Sequence, residues 1–161
     1  MHPHEQLLTR LFDGLNAHDS QRMAACYHED ATFQDVAFTL ANRREIHAMW
    51  DMICSTNEDG VPSDIHVAVQ EQAVTETTGR AILREHYTYR DKNNPVDNTI
   101  TSTFEFRDGL IFKQTDSCDP VRWANQAFGN AVLGFIPGHV EAVRRRSAMK
   151  KLQRARPQAF V

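Results

Sequence analysis

Three cysteines in 161 residues are too few, and too odd in number, for a disulfide framework. Cys26, Cys54 and Cys118 lie far apart, and no two form a metal-type pair. Thiols without partners fit a reducing, cytoplasmic setting. Glycine is also scarce, at seven residues, and no phosphate-cradling loop or dinucleotide fingerprint is present. No apolar run approaches the ~20 residues that a membrane helix needs. The N-terminal Met1-His2-Pro3-His4-Glu5 lacks a basic stretch followed by an apolar one, which argues against a signal peptide. Repeats and low-complexity tracts are missing. The eight histidines show no ligand spacing, so neither a metal nor another cofactor is expected.

What remains is the composition of one ordinary folded domain, 41% hydrophobic and 24% charged, with a net charge of −3. The charge is uneven. From Pro137 onward seven basic residues face one acid, giving +6, while the rest carries −9. No interleaved aromatics or recognition motif accompany that basic tail, so it reads as a solvated helix face rather than a nucleic-acid or membrane site.

The first half is helical. Leu7, Leu8, Leu11, Phe12 and Leu15 make one apolar stripe that predicts a helix over 4–18. Asp19 or Ser20 can cap a short second helix. A strand over 31–35 follows, with Phe33 and Asp35 on one face, and the chain returns at Phe38-Thr39-Leu40. Ile46, Met49, Trp50 and Ile53 form the apolar face of a helix over 43–55, and Asn42-Arg43-Arg44-Glu45 has the form of a capping box.

The second half switches to a period of two. Alternating runs begin at Ile65, Ile82 and Thr99, with a turn cluster at Asp91-Lys92-Asn93-Asn94-Pro95 and a hairpin turn at Arg107-Asp108-Gly109. Asp119-Pro120 starts another helix through Trp123 and Phe128 to Gly129, residues 131–136 form an apolar link, and Pro137 opens a terminal helix. Helices followed by an antiparallel meander give an α+β fold. Long twisted strands covered on one face make a cone-shaped half-barrel of strongly curved, mostly antiparallel sheet, and a cone has an inside. The domain is expected over 1–136, with 137–161 as a basic helical extension packing on it.

Several strings in this order resemble the nuclear transport factor 2-like superfamily, and within it SnoaL-like proteins. They are Leu15-Asn16-Ala17-His18-Asp19, Tyr27 through Asp35, Arg44 through Trp50, Phe104 through Ile111, and Asp116-Ser117-Cys118-Asp119-Pro120 with Trp123-Ala124. The superfamily includes ketosteroid isomerases, limonene epoxide hydrolases, polyketide cyclases, dehydratases and non-catalytic binding modules, so the resemblance specifies a fold more than a function. It places Asp35 where the isomerases keep their general base, and puts Leu11 and Ser102 where their oxyanion hole carries Tyr and Asp. The Arg-x-Asp pair of the epoxide hydrolases falls on Glu85-His86-Tyr87, while their second Asp is kept as Asp116. Cyclases of the SnoaL type carry an acid/base Asp near that same position.

The resemblance points Phe33, Asp35, Glu85, Tyr87, Ser102, Phe104, Gln114, Asp116 and Cys118 into the cone, with Trp50 as a further wall. Asp35 and Asp116 are the expected catalytic acid/base pair; the others are expected to contact a hydrophobic carbonyl or ring-bearing ligand. Carboxylates sharing an apolar cavity raise one another's pKa. The implied activity is isomerisation, cyclisation or hydrolysis without a cofactor. The alternative is a non-catalytic ligand-binding or dimeric interaction module. The outer row Thr99, Thr101, Thr103 suits sheet-on-sheet pairing into a homodimer. Trp123 reads as a core plug, and Cys118 has no His partner to make it a nucleophile.

Overall fold

The computed structural model of the chain describes residues 1–89, 93–129 and 137–161. The apolar link over 131–136 and positions 91 and 92 of the turn cluster lie outside them. Six strands form one sheet in the order β2-β1-β6-β5-β4-β3. The strands are β1 (Tyr27–Gln34), β2 (Thr39–Leu40), β3 (His66–Val74), β4 (Thr78–Tyr89), β5 (Asn94–Arg107) and β6 (Leu110–Ser117). All neighbours are antiparallel except β1 and β6, which run parallel. Register shifts in the pairings of β3, β5 and β1 bend the sheet so that one face becomes concave. The sheet is not closed into a barrel, and the whole is the α+β cone that the sequence implies.

Helices α1 (Pro3–Asn16), α2 (Ser20–Ala24) and α3 (Arg43–Cys54) cover the concave side. The α1 stripe Leu7, Leu8, Leu11, Phe12 and Leu15 is fully buried there. This helix ends two residues earlier than the apolar spacing predicts. Asn16 breaks off to pair its amide with both backbone groups of Val67, at 2.9 and 2.8 Å. His18 takes a left-handed φ of 53° and its Nε2 lies 2.9 Å from the Ile65 carbonyl. Together these contacts close the start of edge strand β3.

At α3, Asn42 Oδ1 accepts the Glu45 amide as expected, but the Glu45 carboxylate reaches back to the Ala41 N–H rather than to that of Asn42. The chain turns between β1 and β2 at Asp35, which lies just past the strand instead of within it. Asp108 and Gly109, at φ 53° and 76°, make the two-residue turn between β5 and β6, where both central residues need positive φ. Asp119 caps α4 (Pro120–Phe128) by accepting the amides of Val121 and Arg122.

Two elements complete the described chain: α5 (Pro137–Ala155) and a short 3-10 turn over Pro157–Phe160. Leu152 and Ala159 are buried in the same core as the sheet and α1. Arg156 Nε bonds Asp51 of α3 at 2.7 Å, and Arg44 bonds the carbonyls of Ala159 and Val161. Among the described residues no helix is long and apolar enough to cross a membrane.

Candidate functional site

The concave face is where the alternation of β4, β5 and β6 aims its inner side chains. Glu85 stands on β4, opposite Asn98 of β5; Ser102 of β5 stands opposite Asp116 of β6, and Phe104 opposite Gln114. Helix α1 brings Leu11, Phe12 and Leu15 over this surface, and α3 brings Trp50. Between them lies a cavity of about 20 Å³, room for about one water molecule. Glu85, Gln114 and Asp116 are its polar lining; Val67, Leu83 and Ile100 complete the apolar wall. The interior is therefore far narrower than a ring-bearing ligand needs, because the α1 side chains and Trp50 reach in and fill it.

Electrostatics follow from that packing. Burial, then the charges of Asp116 and Asp35, push the Glu85 carboxyl up to about 8. Burial also lifts Asp116 to about 6, against the lowering effect of the Gln114 hydrogen bond and of the nearby Ser102 hydroxyl, and with a further rise from Asp35. At pH 7 the site thus holds a protonated Glu85 beside an ionised Asp116. Asp35 is raised by burial too, although its Oδ1 accepts the amides of Ala37 and Phe38 at 2.7 and 2.6 Å. It caps the turn between β1 and β2 and acts on the other two carboxyls through its charge.

Asp116 is held by a hydrogen-bonded row. Trp50 Nε1 donates to the Tyr27 hydroxyl at 3.1 Å, Tyr27 donates to Gln114 Oε1 at 2.6 Å, and Gln114 Nε2 donates to Asp116 Oδ1 at 3.0 Å. Tyr27 and Gln114 are essentially inaccessible, at 0% and 2% exposure. Two polar atoms nearby are left over. Asn98 Nδ2 and Ser102 Oγ are buried and stand outside hydrogen-bonding geometry with any partner among the described residues, although they adjoin Glu85 and Asp116. Orphaned buried donors mark a place where water or a ligand oxygen is wanted.

The remaining expected residues sit around this centre. Phe33 packs edge-on against Trp50, with ring centroids 5.8 Å apart, and stands behind the cavity wall. Phe104 packs between Phe12 and Phe106. Tyr87 and Cys118 lean on a second cluster built on Trp123, Val96, Ala124 and Ala127. There the Trp123 indole donates to the Tyr87 hydroxyl, and the Arg144 guanidinium lies 4.8 Å from the Trp123 ring centroid. Burial pushes the Cys118 thiol up to about 12, which makes it a poor nucleophile at neutral pH. No group of His, Cys, Asp and Glu among the described residues is arranged to hold a metal ion.

Tyr27 and Asn98 were not singled out by sequence. Asn98 had a signal, since Val96, Asn98, Ile100 and Ser102 share the inward parity of β5. Tyr27 opens a polar string, and only the long-range pairing of β1 with β6 buries it.

Residues 8–114 match a family described as the SnoaL-like domain. The chain belongs to this family. No curated protein matches it. Solved structures share its fold at low identity. An epoxide hydrolase of the LEH-like type from M. tuberculosis is 13% identical with a TM-score of 0.62, covering 76% of this chain and 86% of that one. A protein with a ketosteroid isomerase-like fold from Catenulispora acidiphila, solved with trimethylamine, is 13% identical at a TM-score of 0.64, covering 75% and 91%. A candidate SnoaL-like polyketide cyclase from a Jannaschia species is 12% identical at 0.64, covering 80% and 94%. The SnoaL-like chain thus has the nuclear transport factor 2-like cone, and its neighbours span several chemistries on one scaffold.

Proposed function

We propose that this SnoaL-like protein binds a small hydrophobic molecule in its cone and moves protons on it without a cofactor, as an isomerase, cyclase or hydrolase of a carbonyl or ring-bearing substrate. One observation carries the reading: two carboxyl groups, Glu85 and Asp116, line one small and otherwise mostly apolar cavity, where burial raises both. Asp116 is the base. It takes a proton from carbon beside a carbonyl, or from a water. Glu85 takes the place beside Asp116 that the sequence reading gives to Asp35 in the acid/base pair, and gives its proton to the developing oxygen. In an isomerisation the base then returns its proton at a second carbon while the enol O–H proton goes back to Glu85. In a water addition the water's oxygen and one proton stay on the product, and the proton taken by Asp116 replaces the one given by Glu85. Asn98 and Ser102 supply the two unmatched donors for the substrate oxygen. Because the cavity holds about one water, a ring enters only if Trp50 or the α1 side chains swing aside.

The narrow interior favours a second reading, a non-catalytic binding or interaction module of the same fold. In that case the exposed outer row at Thr99 and Thr103 is the surface that pairs two copies. A thermal-shift screen of ketones, epoxides, aromatic lactones and compact amines such as trimethylamine separates the two. Ligands that bind and turn over, with turnover falling roughly 10²–10⁴-fold in Asp116→Asn, support the acid–base reading. Binding without turnover, or no binding together with a concentration-dependent dimer in analytical ultracentrifugation, supports the second.

A further inference from the structure

The row Trp50–Tyr27–Gln114–Asp116 has a direction, and one residue sets it. An indole N–H can only donate. Tyr27 must therefore present its oxygen to Trp50, at 3.1 Å, which leaves its single proton for Gln114 at 2.6 Å. That proton needs an acceptor, so the Gln114 amide turns its oxygen to Tyr27 and its NH2 to Asp116, at 3.0 Å. The carboxyl at the end then meets a donor and is favoured as an acceptor, that is, ionised. The opposite sense would run from a protonated Asp116 to the Gln114 oxygen, from the Gln114 NH2 to Tyr27, and from the Tyr27 proton to Trp50. Its last link sets two protons face to face.

We propose that Trp50 is a positioning residue whose indole N–H polarises this row and so holds Asp116 as the ionised member of the site. Its use in catalysis rests on the acid–base reading above; the polarity itself does not. Other groups act on Asp116 as well. Asp35 from the turn after β1 opposes its ionisation, the nearby Ser102 hydroxyl of β5 favours it, and Glu85 from β4 is still protonated, and so neutral, over the Asp116 midpoint. Arg145 of α5 reaches it only through Asp35. Across the cavity α1 presents Leu11, Phe12 and Leu15, none of which titrates. Tyr27 is pushed far above the phenol range by burial and stays protonated throughout.

The test is a carboxyl carbon NMR titration of the full chain, with the Trp50 indole N–H followed in the same samples. In wild-type protein the indole proton shift is expected to move with the midpoint of Asp116; a flat indole signal across that midpoint overturns the proposal without any variant. Trp50→Phe and Tyr27→Phe each release the polarity and raise the Asp116 midpoint by roughly 0.5–1 pH unit, a three- to ten-fold weaker acid. Gln114→Leu raises it at least as much by deleting the final donor. An Asp116 midpoint that moves in Gln114→Leu but in neither aromatic variant also overturns the proposal, since Gln114 alone then suffices. Absence of turnover in every substrate screen would sink the acid–base reading and leave these titrations standing.

Discussion

Replacing Glu85 with Gln removes a proton site while keeping the shape of the side chain, and the outcome is set by linkage. The unfolded chain ionises this carboxyl near 4.5, whereas the folded chain keeps it protonated to about 8. Between those values the native state binds more protons than the unfolded state, so stability falls as pH rises through the window. At pH 7 the gap between 4.5 and 7 corresponds to about 3 kcal/mol lost by the wild type from this one group. Glu85→Gln is spared that loss. The variant is expected to match the wild type near pH 4.5 and to exceed it by about 3 kcal/mol at pH 7, which is about 6–12 °C in Tm for a chain of this size. Urea unfolding of both proteins at pH 4.5, 6, 7 and 8 measures the difference, and the surface carboxylates cancel because both chains carry them. A stability difference that stays constant over this range would refute a buried, proton-holding Glu85.

Three further outcomes follow from named contacts. Asp35→Asn keeps an oxygen for the amides of Ala37 and Phe38 but deletes a charge, so the Asp116 midpoint should drop below about 6 in a carboxyl titration; an unchanged midpoint would break the shared-site picture. Gly79→Ala puts a Cβ 2.9 Å from the Phe106 ring, which is itself stacked on His4 at 4.0 Å, and should cost about 1–3 kcal/mol by denaturant melt, whereas a neutral effect would show that Phe106 yields freely. Leu152→Ala opens a void under α5 and should cost about 2–5 kcal/mol; a loss under 1 kcal/mol would mean that the extension is not part of the folding unit.

Elements whose signals are local were legible in the sequence. The Asp108-Gly109 turn and the Asp119-Pro120 helix start each rest on backbone demands that few residues meet. The stripe of α1 marked Leu11 for burial, the alternation of β4 and β5 put their side chains on two faces, and the family resemblance chose the face that turns Glu85 and Ser102 inward. The site itself was less legible, for a physical reason. The row that holds Asp116 joins positions 27, 50, 114 and 116, brought together by the parallel pairing of β1 with β6 and by α3 crossing above them. Nothing around Tyr27-His28-Glu29-Asp30 announces a buried strand. Parity could say that Asp116 points inward. The depth to which Leu11 and Trp50 follow it depends on how α1 and α3 seat on the curved sheet, and this sets the free volume.

That volume and the carboxyl chemistry are one property seen twice. The side chains that fill the cone keep bulk water out of it, and burial is the largest cause of the raised Glu85. An interior opened for a ligand would admit water and return the carboxyl towards its ordinary value unless the ligand itself excludes that water. Leu11→Ala tests this. Leu11 is 1% exposed and lines the cavity, so its truncation should cost about 2–5 kcal/mol and join new space to about 20 Å³ that already has polar walls. Water enters such a space because Glu85, Gln114 and Asp116 can bond it. The Glu85 midpoint should then fall from about 8 towards 4.5, with Asp116 following it down. A destabilised Leu11→Ala chain whose Glu85 still titrates near 8 would assign the shift to repulsion from Asp116 and Asp35 instead of to burial. The cone could then open to a substrate without losing its acid.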